Sequence, residues 1–397
     1  MAQTIQYELH LARRMSRLGT ETAFEVLNKA RALERQGKSI IHLEIGEPDF
    51  DTPANVVDAG VDALRKGWTH YGPSAGLPDL RQALAEYVSR TRGVKVTSDE
   101  VVVVPGGKPI IFFTILSLID EGDEVIYPNP GFPIYESMIH YVGGRGVPIQ
   151  LREERDFSLD VDELASLIND RTRLLILNSP QNPTGGVLER RDIEQIAKII
   201  GDRNVMVLSD EIYSRLLFDG GQHFSIMSVP GMQERTILLD GFSKTYAMTG
   251  WRMGYGVMRP DLAAHMTRLM TNSNSCTASF TQVAGIEAIR GDQSSVDHMR
   301  DEFQRRRDAF VAGLNKIKGF SCRMPKGAFY VFPNIKQTGW KSKPLADALL
   351  EQAGVAALSG TAFGEFGEGY LRFSVANSLE NLQQALDRIG QWTKKNL

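Results

Sequence analysis

The stretch Thr236-Ile-Leu-Leu-Asp-Gly-Phe-Ser-Lys-Thr-Tyr-Ala-Met-Thr-Gly-Trp-Arg-Met-Gly254 runs from a β-prone segment, Thr236–Leu239, directly into a loop that carries Lys244. The same join of strand to chemistry-bearing loop recurs upstream. Ser209-Asp-Glu-Ile-Tyr213 follows Val205–Leu208, Asn178-Ser-Pro-Gln-Asn-Pro-Thr-Gly185 follows Leu174–Leu177, and Val104-Pro-Gly-Gly-Lys-Pro109 leaves Val101–Val104. Glu124–Ile126, Gly146–Gln150 and Gly254–Met258 complete the strand candidates. Between them fall helical patterns at Pro109–Ile119, Pro133–Tyr141, Val161–Ile168 and Glu189–Ile200, with Asp160 and Glu163 spaced as a capping box. Short β-branched runs alternating with amphipathic helices from about Val101 to Gly256 predict an α/β fold with a parallel sheet flanked by helices.

After Pro260 the texture changes to long helical segments, notably around Ser295–Lys316. The Arg305–Arg306–Arg307 triplet there has mixed charges on either side and reads as a solvated helix face rather than a phosphate site. Short strands near Phe329–Phe332 and Leu371–Val375 and a final helix, for which Asn377 and Glu380 are the cap candidates, predict a smaller α+β domain. No repeat or long flexible linker separates the two parts, so they are expected to share an interface.

Bulk composition excludes several function classes. The chain has 397 residues, 42% of them hydrophobic, enough for two domains with a sizeable core. A net charge of −3 with both signs scattered offers no basic stripe to a nucleic acid. Cys276 and Cys322 stand far apart, outside any disulfide or metal-ligating spacing, which fits a reducing cytoplasm and no metal. Met1 to Met15 lacks the apolar run of a secretion signal. The apolar run Ile110–Ile119 is half the ~20 residues a bilayer span needs and reads as a buried helix, so no membrane is expected.

Lys244, just past a strand end, stands where open α/β sheets gather ligands, and a buried amine there can act as a nucleophile toward an aldehyde. Arg252 and the Ser243 hydroxyl form a natural clasp for a phosphate. Most lysines are solvated surface residues, and Lys244 alone would be read that way; the other strand-end loops change the balance. Asp210 reads either as a buried carboxylate facing a protonated ring nitrogen or as a helix N-cap, with Tyr213 one turn on as a donor to a ring oxygen. Asn182 is held in a loop stiffened by two X-Pro steps, although a plain turn would use the same residues. Gly106, Gly107 and Lys108 make a backbone cup for an anion at a helix start. They do not make a nucleotide-binding P-loop, because Val102 stands where that pattern needs glycine and Pro109 follows the lysine. Phe132 is either a stacking face for a planar ring or a core aromatic.

Together these strings resemble the class I aminotransferases of fold type I, pyridoxal-phosphate (PLP) enzymes, in particular the bacterial aspartate aminotransferase-like branch. The resemblance runs from Ile45-Gly-Glu-Pro-Asp-Phe-Asp-Thr-Pro53 through Tyr71-Gly-Pro-Ser-Ala-Gly-Leu-Pro-Asp-Leu-Arg81 to Tyr370-Leu-Arg-Phe-Ser374. It implies a large domain, 48–289, with a mostly parallel seven-stranded sheet, and a small α+β domain from 1–47 and 290–397. It further implies Lys244 as Schiff-base lysine and general base, Asp210 at the pyridine nitrogen, Asn182 and Tyr213 at the ring oxygen, and Phe132 stacked on the ring. The phosphate would fall to Gly106, Gly107, Lys108, Ser243 and Arg252, with Tyr71 reaching in from the second subunit of a homodimer. The substrate carboxylate would pair with Arg372, assisted by Asn182 and the backbone of Gly46.

The resulting expectation is a cytoplasmic, homodimeric aminotransferase that moves an amino group from an L-amino acid to a 2-oxo acid, 2-oxoglutarate or pyruvate, by ping-pong kinetics. Aspartate is the first donor to consider, its distal carboxylate falling to Lys108 with Thr20 and Thr22, and aromatic, neutral or alanine-type donors come close behind. Alternatives are a β-lyase or another enzyme of the same fold, which share the cofactor residues, and a PLP-binding regulator, which the lack of a preceding helix-turn-helix pattern disfavours.

Overall fold

The computed structural model describes residues 9–397. Residues 1–8, part of the stretch read for a secretion signal and of the 1–47 segment, lie outside the described residues. In chain order the strands are β1 Ile41–His42, β2 Val101–Val104, β3 Glu124–Asn129, β4 Arg145–Gln150, β5 Thr172–Asn178, β6 Met206–Asp210, β7 Thr236–Gly241, β8 Gly254–Val257, β9 Tyr330–Val331, β10 Val355–Ala356, β11 Leu358–Ser359 and β12 Leu371–Ser374.

Seven of these form one sheet in the order β2-β8-β7-β6-β5-β3-β4. From β4 to β7 neighbouring strands run parallel, and β8 is antiparallel to both its neighbours. The expected mostly parallel α/β sheet is therefore present. Val101–Val104 are all fully buried, because helices cover both faces; that is why these strands read as continuous apolar runs instead of alternating ones. Helices Lys108–Leu118 and Pro260–Ser273 pack on one face, Pro78–Arg92 and Ser279–Arg290 on the other.

The register positions the chemistry. Asn178 of β5 pairs with Asp210 of β6, and Asp210 with Leu239 of β7, so three consecutive strands end side by side. Val104 and Gly241 both pair with Gly254, which draws the glycine cup and the Lys244 loop onto the same edge. Gly254 has no room for a side chain: a Cβ there would lie 2.7 Å from the Gly107 nitrogen.

The remaining strands build a second layer. β1 pairs with β10 in parallel, and β11, β12 and β9 form an antiparallel sheet. Their core joins Ile41 and Leu43 to Phe303, Phe310, Phe329, Phe373, Leu382 and Trp392. Tyr213 and Leu216, from the segment after β6, belong to the same cluster, so the two layers pack directly on one another.

Several local expectations are corrected. Of the arginine triplet only Arg305 is solvated. Arg306 pairs with Glu302 and Asp49, and Arg307 is 2% exposed, pairs with Asp219 and Asp308, and lies 4.7 Å over the Phe218 ring. Both face inward from helix Ser294–Leu314, and each meets one carboxylate of its own helix and one from a distant segment. The final helix, Leu379–Asn396, is capped by Ser378, whose hydroxyl accepts from the Asn381 amide; Asn377 instead donates to the His42 carbonyl. Asp160 does cap its helix, but Glu163 turns to Arg152 rather than closing the box. In the apolar helix Lys108–Leu118, Leu116 is exposed. Asp210 precedes no helix: its Oδ1 accepts from the Ile212 amide in a turn, so the helix-cap reading falls.

Candidate active site

The strand ends open into a cavity of about 560 Å³ between the seven-stranded sheet and the second layer. Lys244 enters it from the helical turn Phe242–Thr245 that directly follows β7. Its ammonium donates to the Gly46 carbonyl. Burial pushes this amine down to about 8, with Arg372 and Lys108 acting in the same sense against Glu47 and Glu21. A neutral amine is therefore accessible near physiological pH.

Asp210, the last residue of β6, is 5% exposed. Burial lifts its carboxyl to about 6, restrained by hydrogen bonds from the Tyr135 hydroxyl at 2.5 Å and the Ile212 amide. Tyr213 has its hydroxyl 2.8 Å from that of Tyr330. In the Asn178–Gly185 loop the Asn182 amide donates to Asn178 Oδ1, and its side-chain oxygen accepts from Arg372 at 3.2 Å. The side-chain NH₂ of Asn182, which lines the cavity, has no partner among the described residues and is left as a donor.

Arg372, on β12, is 4% exposed. Its guanidinium lies 4.5 Å over Tyr330 and 4.9 Å over Phe363, donates to the Glu44 carbonyl, and has a buried Nε with no partner among the described residues. Burial lowers its pKa. A buried guanidinium with spare donors is a site for a carboxylate.

Gly106 adopts φ +83°, and a Cβ on it would overlap the Arg252 guanidinium, so the cup must be glycine for Arg252 to lie beside it. Gly107 caps helix Lys108–Leu118; Ser243, Arg252 and Phe132 line the cavity with it. A Cβ on Gly46 would overlap the Tyr330 hydroxyl.

The structure thus brings Lys244, Asp210, Tyr213, Asn182, Gly107, Lys108, Phe132, Ser243, Arg252, Gly46 and Arg372 to one cavity. Gly106 sits behind its wall. Tyr71 is not in it: the side chain is 90% exposed. Thr20 and Thr22 do not line it either; the residue between them, Glu21, does, with its carboxylate 2.6 Å from the Lys108 ammonium. Sequence reading missed Glu21, Tyr135 and Tyr330. The two tyrosines lie in segments read as a plain helix and a plain strand, without a local signal.

A half-buried amine, a buried carboxylate and a buried guanidinium share this cavity, and among the described residues none has an ion-pair partner of its own. Such charges are retained where a ligand completes them. A phosphorylated pyridine aldehyde fits the set: aldehyde at Lys244, ring nitrogen at Asp210, phosphate at the cup.

Comparison with known proteins agrees. The family described as "Aminotransferase class I and II" matches residues 38–389. The chain is 41% identical to the aspartate aminotransferase of Pyrococcus abyssi over 355 residues, covering 89% of this chain and 91% of that one. It is 40% identical to aromatic-amino-acid aminotransferase 2 of Thermococcus litoralis over 361 residues, covering 90% and 92%. The solved structure of Thermus thermophilus aspartate aminotransferase with maleate superposes with a TM-score of 0.93 at 37% identity, covering 97% of this chain and all of that one. Matches of this length and identity place the chain in the class I and II aminotransferase family, as a PLP-dependent aminotransferase of fold type I.

Proposed function

We propose that this aminotransferase moves an amino group from an L-amino acid to a 2-oxo acid in two half-reactions at Lys244, with ping-pong kinetics. The observation that carries the reading is the convergence in one cavity of Lys244, Asp210 and Arg372, none of which has an ion-pair partner among the described residues. When bound, PLP supplies an electron sink for the carbon that bears the amino group. Lys244 would hold the cofactor's aldehyde carbon and would carry the proton removed from the substrate; its lowered pKa suits a base. Asp210 would hold the proton on the ring nitrogen. Tyr213 and the Asn182 NH₂ would donate to the ring oxygen, and Phe132 would face the ring. The amides of Gly107 and Lys108, with Ser243 and Arg252, would hold the phosphate. Arg372 takes the substrate carboxylate with two donors, which fixes the Cα–H bond toward Lys244.

Further parts of the proposal are a large domain at 48–289, a small one from 1–47 and 290–397, a cytoplasmic location, and a homodimer. The apolar cluster joining Ile41 and Leu43 to residues 299–392 supports the division. The dimer is supported by an exposed apolar face: Val57, Val61, Leu64 and Trp68 are each more than a third exposed beside Tyr71, and a groove lined by the first three runs to Arg252. Among the described residues no helix is long and apolar enough to cross a membrane.

Borohydride reduction of the loaded enzyme should trap the cofactor on Lys244, and Lys244→Ala should abolish turnover. Adding an amino acid without acceptor should yield pyridoxamine phosphate and a 2-oxo acid. Release of pyruvate and ammonia instead would favour β-elimination, and turnover by Lys244→Ala at the wild-type rate would end the proposal. Relatives are named for aspartate and for aromatic amino acids, so both belong in the first donor panel.

A further inference from the structure

The wall that receives the donor side chain carries a carboxylate. With the α-carboxylate at Arg372 and Cα facing Lys244, the lining left to the side chain includes Glu21, Ala23, Phe24, Ile45 and Lys108. Glu21 stands just before helix Ala23–Arg35. Its buried Oε1 lies 2.6 Å from the Lys108 ammonium and has no other partner among the described residues. Gly19 fixes the approach of this segment through two hydrogen bonds with the Ser137 hydroxyl, at 2.9 and 3.3 Å. The charge of Glu21 also acts on Lys244, Arg372 and Tyr330.

Resting on the transamination reading, we infer that Glu21 is the specificity-determining residue of this enzyme: by occupying Lys108 and placing a carboxylate in the side-chain subsite, it selects donors with uncharged side chains over dicarboxylates. A second carboxylate entering here finds its cation already paired and a like charge beside it. A cationic side chain meets Lys108 in the same way. An uncharged side chain leaves the Glu21–Lys108 pair intact and packs against Phe24, Ile45 and Ala23.

The test compares wild type with Glu21→Gln, which keeps the volume and removes the charge. Bleaching of the bound cofactor's absorbance would be followed with leucine, phenylalanine, aspartate, glutamate and lysine. Wild type should react with the uncharged donors at least about tenfold faster, in rate over concentration, than with aspartate, glutamate or lysine. Glu21→Gln should raise the rates with aspartate and glutamate about tenfold or more relative to those with leucine and phenylalanine. Calorimetric binding of maleate, a dicarboxylate that does not react, should tighten about tenfold in Glu21→Gln and lose that gain in Glu21→Gln/Lys108→Gln. Wild type favouring aspartate, glutamate or lysine, or an unchanged maleate affinity in Glu21→Gln, would overturn the inference. If no amino acid bleaches the cofactor, the transamination reading fails instead, while the maleate titration still decides the role of Glu21.

Discussion

Replacing Arg92 with methionine should destabilise the protein strongly and increasingly as pH rises. Arg92 is 6% exposed at the end of helix Pro78–Arg92; it donates to Glu211 at 2.8 Å and to Asp240 at 3.2 Å, both of them buried. These carboxylates flank the chemistry: Glu211 follows Asp210, and Asp240 stands four residues before Lys244. The methionine keeps an apolar stem and removes the cation. Glu211 retains His223 at 2.7 Å and hydroxyl donors from Ser209 and Ser225, whereas Asp240 keeps, among the described residues, the Ser214 hydroxyl and the Gly241 amide. Removing one partner of such a buried pair costs about 3–5 kcal/mol.

The pH dependence identifies Asp240 as the group left exposed to that cost. Burial raises its carboxyl to about 6 even with Arg92 pulling the other way, so without Arg92 it moves higher still. A folded-state value above the unfolded value of about 3.9 means that the folded protein binds more protons between the two, and stability falls as pH rises through that window. In the wild type the window closes near 6. In the variant it extends upward, so the stability gap should widen between pH 6 and 8, by at most ~1.4 kcal/mol per pH unit. Urea unfolding midpoints at pH 6, 7 and 8 measure this directly, and adding Asp240→Asn should recover much of the loss and flatten the pH response. A loss under about 1 kcal/mol that is equal at all three pH values would refute the assignment of Arg92 as the charge-balancing cation.

Two further outcomes concern the cavity. With Lys244 lowered to about 8, roughly a quarter of its amine is neutral at pH 7.5, so PLP capture by the apoenzyme should speed up with pH and level off just above 8; a rate still climbing tenfold per unit beyond pH 9.5 would mean an ordinary lysine. Tyr135→Phe removes a hydrogen bond to the Asp210 carboxylate, a loss of ~1.5–3 kcal/mol, and should weaken cofactor binding about tenfold or more by favouring the protonated acid; an unchanged cofactor Kd would place Tyr135 outside the site's electrostatics.

The sheet and the strand-end residues were legible because each is written locally. A short, nearly continuous apolar run, followed at once by a polar loop, marks Val101–Val104, Leu174–Leu177, Val205–Leu208 and Thr236–Leu239 without tertiary information. Parallel pairing in register then lines up their ends. What could not be read depends on pairings across long separations. Tyr135 reaches Asp210 over 75 residues and Tyr330 reaches Tyr213 over 117. Arg306 finds Asp49 over 257 residues and Arg307 finds Asp219 over 88, so a reading based on flanking charges put both in solvent. Which of Thr20, Glu21 and Thr22 faces the cavity turns on the contact of Gly19 with Ser137, 118 residues away.

A deeper reason separates the arginines and lysines that fold this protein from those that serve its chemistry. Arg92, Arg306 and Arg307 each meet carboxylates, which satisfy their donors and cancel their charge together. Lys244 and Arg372 meet the carbonyls of Gly46 and Glu44 instead. A carbonyl oxygen accepts a hydrogen bond and so orients the cation, yet it carries no net charge, and the cation stays available to an incoming aldehyde or carboxylate. The short segment from Glu44 to Gly46 therefore does for two cationic side chains what a pair of acidic residues could not, because an acid at either place would compete with the ligand. Every residue type except proline offers the same backbone amide and carbonyl, so this arrangement leaves no mark in the composition of the segment. It becomes visible only when β12 and the turn after β7 are packed against the strand that begins at Ile41.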